Sequence, residues 1–527
     1  MMNKKFSFVI SFFLIAIASF LFMLANPSFV NSNGLGFIAF IYFLPVLIVI
    51  HNQNYKSNIF FGFLYGFLSY FLYAFWLGSY SVFFKSLLCV LYGAFWSILF
   101  CLLKFADLYF KKYGFLIQFL IILSFEFIKT KGFLGFGYGI SGYTQWQNLY
   151  LIQIANLFGV FGVSAIVIFP SCLMYEIYKK IKNHQQNFLS VLFFSGVWIL
   201  LFCAILLYGK NQIKKNENVS VKSKVSVIAI QNNEDPWGSG FNYYRSSIQQ
   251  LINITNDALK NYPEVDIVVW PETAVVPSVS HFYDEEKSNR KLLIEALMHY
   301  FESKDCNFLI GNGFSEFDNI NQKIYNSALF FEQDKNILPP KPVVYSKNHL
   351  VPFSEHLPFG IKFNFFEKNF DFHFWNEGQD VIVFEDDDFC FGTPICFEDT
   401  FDDIPRKMKN KGANFFILLI NDSWGNSFVC QNQHLAISVF RAVENKLPLV
   451  RCTVSGQTCY ISSCGKIENL CEPFTQTYNH YEIPIFNDYS KTLFSKLGNL
   501  FIYVVVIICF ILLLNKFIFV IIKKVGK

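Results

Sequence analysis

Apolar residues fill the chain in long stretches at its beginning and again at its end, and between them the pattern changes to short runs broken by charge. A helix needs about 20 mostly apolar residues to cross a bilayer. Seven stretches of that kind precede the middle of the chain, at 6–25, 36–51, 58–77, 81–103, 114–128, 150–176 and 188–208, and one follows it, at 496–522. The stretch 6–25 has the length of a secretory signal, but six more spans follow it and no small-residue cleavage site stands behind it, so it reads as a helix. The pattern predicts a polytopic helical membrane domain of about eight helices.

The middle of the chain alternates short β-rich runs with helical periodicity. Strands are predicted at 225–231, 266–270, 307–313, 326–331, 342–347, 381–385, 389–396, 414–420, 447–453 and 458–462, and helices at about 243–261, 287–304, 401–411 and 429–445. Runs such as NFFILLI are apolar throughout, as strands covered on both faces are. The alternation predicts a layered α/β domain. The polar stretch 211–224 is its joint with the membrane part, so the chain divides into 1–210 (membrane), 211–490 (soluble) and 491–527 (last span and tail).

Only 16% of the 527 residues are charged, against about 25% in soluble domains, and the shortfall lies in the predicted spans. Basic residues in alternate loops set the orientation. Lys4, Lys5, Lys56, Lys104, Lys111, Lys112, Lys179, Lys180, Lys182, Lys523, Lys524 and Lys527 fall on one side; the other side's short loops hold Lys85, Lys129 and Lys131. Both termini are therefore expected in the cytoplasm, and 211–490 on the outer face, which in a bacterium is the periplasmic side. The net charge of +4 follows from that orientation and calls for no nucleic-acid partner. Of 13 cysteines, Cys89, Cys101, Cys172, Cys203 and Cys509 lie in spans, where they read as packing residues, and eight lie in the outer domain. No CxxC and no metal-ligand spacing occurs, so no metal or cofactor is expected; Cys459 and Cys464 are among those able to bridge.

Three polar residues stand at strand ends: Glu272 in DIVVWPET, where Pro271 is expected to stop the strand, Lys347 in PVVYSKNHLVPF, and Cys396 in FCFGTPICFED. Carboxyl ends of strands are where α/β sheets build sites. A carboxylate can take the thiol proton, and an ammonium favours the thiolate and stabilises an oxyanion. Taken singly, each has a plain structural reading: a packing thiol, a turn carboxylate, a solvated lysine.

In order, WPET, Y-x-K-x-H-L-V-P-F and C-F-E resemble the motifs of the nitrilase superfamily of carbon–nitrogen hydrolases. Coupled to seven preceding spans and one following, they resemble apolipoprotein N-acyltransferase, a family of bacterial inner membranes. FEFIKTKGFLGFGYGISGYTQ (125–145), IQIANLFGVFGVS (152–164), NDSWGNS (421–427) and QHLAISVFRAVENKLPLVR (433–451) are similar to further segments of that family, so the resemblance spans nearly the whole chain. It implies an αββα sandwich with Cys396 as nucleophile, Glu272 as general base and Lys347 as oxyanion stabiliser. It also implies Glu355 beside the triad, Glu398 and Phe397 in the nucleophile motif, and Trp237 in a loop facing the lipid side. The implied partners are a phospholipid acyl donor, a diacylglyceryl apolipoprotein acceptor and membrane lipid. Ser354 stands where the family has glycine, Phe397 where it has tyrosine, and NDSWGN is one residue shorter than its counterpart.

Glu126 in the fifth span is expected to meet a bundle-interior partner. His349, His356 and His434 are expected to be hydrogen-bonding or surface residues. Two other readings use the same features. One is a membrane-tethered amidase or nitrilase acting on a small C–N substrate. The other is a transporter or receptor with a ligand-binding outer domain, which the lack of paired half-helix breaks disfavours.

Overall fold

The computed structural model describes residues 2–525 apart from Pro277, 284–287, 319–320, 358–373 and 488–489. Among the described residues its soluble part has twelve strands: β1 (Val221–Gln231), β2 (Ile267–Val275), β3 (Asn307–Asp318), β4 (Asn321–Phe331), β5 (Val343–Ser346), β6 (Phe384–Glu385), β7 (Cys390–Gly392), β8 (Phe415–Ile420), β9 (Leu449–Thr453), β10 (Cys459–Ile461), β11 (Ile467–Glu468) and β12 (Thr477–Phe486). They form two six-stranded sheets, ordered β12-β1-β2-β3-β4-β5 and β11-β10-β9-β8-β7-β6. The central pairs β1–β2, β2–β3, β7–β8 and β8–β9 are parallel, and the flanking pairs are antiparallel.

Period-two alternation explains why these runs are apolar throughout. Val225, Val227 and Ala229 of β1 face the second sheet and share a core with Phe416, Leu418 and Val450. Ile228 and Ile230 face the other way, into a second core with Ile248, Leu251, Leu297 and Phe301 of the helices Phe241–Asn261 and Asn289–Glu302. The helix Phe428–Asn445 contributes Val439, Phe440 and Val443 to the first core. The layers are thus helix, sheet, sheet, helix.

Among the described residues five helices are long and apolar enough to cross a membrane: Phe8–Ala25, Val82–Tyr109, Ala155–Lys182, Leu189–Glu217 and Leu500–Lys523. The other three predicted spans take different forms. The stretch 36–51 is a short turn, Gly36–Phe40, followed by the helix Leu44–Asn52, which restarts at Pro45 in its first turn. Gly114–Ile128 has 15 residues, a length of about 22 Å, which is short of a hydrocarbon core about 30 Å thick. Tyr55–Tyr73 carries buried Asn58, Tyr65, Ser69 and Tyr70 on one side. Its Gly66 lets the backbone of Val82–Tyr109 come close, since an added Cβ there would lie 2.3 Å from the Tyr92 carbonyl oxygen. Glu126 accepts a hydrogen bond from the Ser141 backbone at 2.9 Å.

The membrane helices and the facing sides of both sheets belong to one continuous apolar cluster. All thirteen cysteines are free thiols, Cys459 and Cys464 included.

Candidate active site

Glu272 does not follow a strand; it lies inside one. Pro271, expected to end β2, is within it, and the strand runs on to Val275. Between Trp270, opposite Ile310, and Val275, opposite Asn312, five steps along β2 answer two along β3. The extra residues bulge, as a proline without an N–H and Thr273 at φ 52° allow. Gly311 makes room beneath: an added Cβ would sit 2.4 Å from the Pro271 oxygen and 2.6 Å from the Glu272 Cα. The bulge re-aims Glu272 out of the ladder.

Lys347 directly follows β5, its backbone N–H bonded to the Asn326 oxygen at 2.8 Å. Its ammonium donates to Glu272 Oε1 at 3.1 Å and to Glu355 Oε1 at 2.9 Å. Asn326 Nδ2 donates to the same two oxygens, at 2.8 and 3.1 Å. Glu355 is fixed in a tight turn, its Oε2 accepting from the Val351 N–H at 2.7 Å. The left-handed residue of that turn is Phe353, at φ 63°, and not Ser354, so the serine incurs no backbone penalty there. Burial would depress the Lys347 ammonium, but Glu272, Glu355 and then Cys396 outweigh it and hold the lysine charged well above its ordinary range.

Cys396 opens a short turn, Cys396–Thr400, at φ 48°, a left-handed conformation costly for a side chain with a Cβ. The preceding Ile395 bridges to Leu419 of β8, which pins the turn to the sheet. Burial and then the Glu272 charge push the thiol well up, while Lys347 and a hydrogen bond from the Asn421 backbone pull it down. Glu398 ties this turn to the lysine loop: it accepts from the Ile395 N–H at 2.8 Å, the Asn348 N–H at 2.6 Å and the Tyr345 hydroxyl at 2.9 Å. Burial raises its carboxyl above the usual range, against those donors. Phe397 is buried edge-on to Phe401, with ring centroids 5.1 Å apart.

The structure thus brings Glu272, Lys347, Glu355 and Cys396 into one electrostatic unit with Glu398 bracing it. Trp237 stands apart. It is 58% exposed and stacks on Tyr80 of the membrane part, centroids 5.9 Å apart. Tyr80 in turn meets Trp424, and Phe84 stacks on Phe353, so aromatic rings line the seam beside the site.

Sequence reasoning missed a buried ionic cluster behind Cys396. His434 Nε2 lies 2.7 Å from Asp399 Oδ1 and its Nδ1 lies 2.9 Å from Asp422 Oδ1. Arg451 flanks both carboxylates, at 3.7 and 3.5 Å, and Ser438 donates to Asp399. Burial would lower the His434 pKa, but Asp399 and Asp422 push it up to about 9. Asp399 is three residues past Cys396, and Asp422 adjoins Asn421, so the imidazolium clamps the two loops that touch the sulfur. The sequence offered no sharp signal: His434 follows the polar run Gln431, Asn432 and Gln433 in the predicted helix and does not stand out from it.

A carboxylate, an ammonium and a strained cysteine, buried together in a four-layered sandwich, can carry an acyl group on sulfur, and they place the domain in the carbon–nitrogen hydrolase class. Residues 230–484 match the Carbon-nitrogen hydrolase family model. Residues 8–173 match the Apolipoprotein N-acyltransferase N-terminal domain. The chain is 38% identical to Apolipoprotein N-acyltransferase 1 of Treponema denticola over 98% of this chain and 99% of that one. It is 36% identical to Apolipoprotein N-acyltransferase 1 of Treponema pallidum over 90% of each. The enzyme of Borreliella burgdorferi is 29% identical over 94% of each. The chain belongs to the apolipoprotein N-acyltransferase family: it is a membrane acyltransferase built on a carbon–nitrogen hydrolase fold.

Proposed function

We propose that this enzyme moves an acyl chain from a membrane phospholipid to Cys396 and then to the α-amine of a diacylglyceryl-cysteine at the start of an apolipoprotein. Glu272 takes the Cys396 proton, and the thiolate attacks the ester carbonyl. Lys347 faces the oxyanion that forms. The intermediate collapses to a thioester, Glu272 returns its proton to the departing alkoxide, and a lysophospholipid leaves. The acceptor's amine then attacks the thioester, Glu272 takes the proton, an amide forms and the thiol is released.

The observation that carries this reading is the buried Lys347 ammonium, 1% exposed, held on Glu272 and Glu355 within electrostatic reach of Cys396. A thioester must survive until the amine arrives, so water has to be kept away. Glu272 and Cys396, 5% and 7% exposed, meet that need. The lipid chains of both substrates favour a site beside the bilayer, since each buried CH₂ anchors by about 0.8 kcal/mol. The aromatic seam of Tyr80, Trp237 and Trp424 would line the path by which such chains reach the site. On this reading 211–490 stands on the periplasmic side of the inner membrane with both termini in the cytoplasm, an orientation the lysine distribution supports.

The test is the intact mass of the purified chain after incubation with phospholipid. One acyl adduct is expected, absent in Cys396→Ala, and discharged by a diacylglyceryl-cysteinyl peptide. Retained N-acylation by Cys396→Ala would refute the assignment.

A further inference from the structure

Beside Glu272 lies a cavity of about 80 Å³ that the steps above do not use. Glu272, Thr273 and Asn421 form one side, so it reaches the neighbourhood of Cys396, which the Asn421 backbone touches. The loop after β1 forms the other side with Glu234 and Asp235. Tyr243 of the helix Phe241–Asn261 fixes that loop: its hydroxyl donates to Glu234 Oε2 at 2.6 Å and lies 2.8 Å from the Asp235 carbonyl oxygen. The Trp237 N–H donates to Asp235 Oδ1 at 3.0 Å.

Two independent features point to the same kind of occupant. The lining holds the three carboxylates of Glu234, Asp235 and Glu272, and among the described residues no basic side chain. Buried Asn232, 1% exposed, also lines the cavity, and its Oδ1 has no hydrogen-bond partner. Buried acceptors are almost always met by a donor. A pocket of negative charge with an unanswered acceptor selects a cationic group rich in N–H. A phospholipid headgroup brings a phosphate wherever it brings an ammonium, and Glu234 and Asp235 repel it. The start of a polypeptide brings the ammonium without the phosphate.

We propose that this cavity is the subsite for the α-ammonium end of the acceptor polypeptide. Glu234 and Asp235 hold the charge, Asn232 Oδ1 accepts one N–H, and the bound group faces Glu272; it sheds one proton to water before attack, and Glu272 takes the second as the amide forms and passes it to the departing Cys396 thiolate. The proposal rests on the acyl-transfer reading above.

The full chain is loaded at Cys396 in micelles with phosphatidylglycerol or phosphatidylethanolamine, and discharged with a synthetic diacylglyceryl-cysteinyl peptide. The double variant Glu234→Gln, Asp235→Asn should raise the KM for the peptide about tenfold, the loss of two partly exposed charge contacts. Two inhibitors of discharge give a measurement on the unmutated chain, independent of how the variant folds: the same peptide with an α-N,N-dimethyl group, charged but unable to form the amide, and with a neutral α-N-acetyl group. The dimethyl form should bind better, and the double variant should abolish the difference. Equal binding of the two inhibitors to the unmutated chain would overturn the proposal. So would a defect confined to loading from phosphatidylethanolamine and absent with phosphatidylglycerol, which would assign the cavity to the donor's headgroup. Preferred binding of the dimethyl peptide by a chain that never forms a thioester would uphold the subsite and sink the acyl-transfer reading.

Discussion

Replacing His434 with leucine tests whether the ionic cluster behind Cys396 is a working part of the site. The imidazole is 1% exposed and sits between Asp399 and Asp422. Removing one partner of a buried ion pair costs about 3–5 kcal/mol, because the remaining charge stays buried. Here Arg451 still offsets part of that, from 3.5 and 3.7 Å, so the lower end applies. The melting temperature of the detergent-solubilised chain should fall by on the order of 10 °C. Catalysis should suffer more, since Asp399 and Asp422 position the Cys396 turn and the Asn421 loop. Displacing a reacting atom by about 1 Å costs roughly a hundredfold in rate, so acyl loading of Cys396 should slow by about that factor.

The pH dependence gives the decisive sign. The folded His434 pKa of about 9 is raised above the ordinary 6.5, so the group stabilises the fold fully below pH 6.5. That contribution, roughly 3 kcal/mol, is lost as pH rises from about 6.5 through 9. Thermal melts across that range should therefore show the parent losing its advantage over His434→Leu. Parallel melting curves for the two proteins from pH 6 to 9.5, with unchanged loading rates, would refute the clamp.

The other perturbations address the triad. Lys347→Met leaves Glu272 and Glu355 sharing Asn326 with no cation between them; thioester formation should drop by about 10²–10³, measured by intact mass over time. Gly311→Ala puts a Cβ 2.4 Å from the Pro271 oxygen, so the bulge must shift and Glu272 with it. Loading should slow about tenfold or more while the circular dichroism spectrum stays unchanged.

What the sequence showed depended on whether a signal was local. The strands β8 and β9 are buried on both faces, and their apolar runs announced them. β12 went unread because TYNHYEIPIF is a half-exposed edge strand, paired only with β1, and its polar residues mask its period. Pro271 was misleading for a physical reason: proline ends a strand only where a ladder N–H is required, and a bulge requires none. Glu272, Lys347 and Cys396 were legible as a set through their motifs. Asn326, which donates to both Glu272 and Glu355, was not, because it belongs to no motif and its role arises from side chains meeting across strands and loops. The His434 cluster was hidden in the same way, with partners 12 and 35 positions away along the chain. In the membrane part the helices were legible, but their lengths were not: 36–51 is apolar throughout, yet it is a short turn followed by a helix that restarts at Pro45.

The helix Phe428–Asn445 explains why the two parts of the chain form one machine. A helix on the outside of a sandwich ordinarily keeps one polar, solvated face. Here every residue from Val429 to Asn445 is buried. The helix delivers His434 to Asp399 in the Cys396 turn. The same helix also carries polar groups into the membrane part. Gln433 accepts from Trp76 Nε1 at 2.9 Å and donates to the Pro27 oxygen at 2.8 Å. Arg441 reaches the Tyr143 hydroxyl at 3.1 Å, and Glu444 accepts the Val160 N–H at 2.9 Å. Detaching the sandwich would break every one of these bonds and open the buried helix to water, at a net cost of about 0.5–1.5 kcal/mol for each bond lost. The membrane helices are therefore part of the catalytic domain's fold as well as its anchor. An isolated sandwich would expose this helix and release its hold on Asp399 and Asp422, and with them the Cys396 turn.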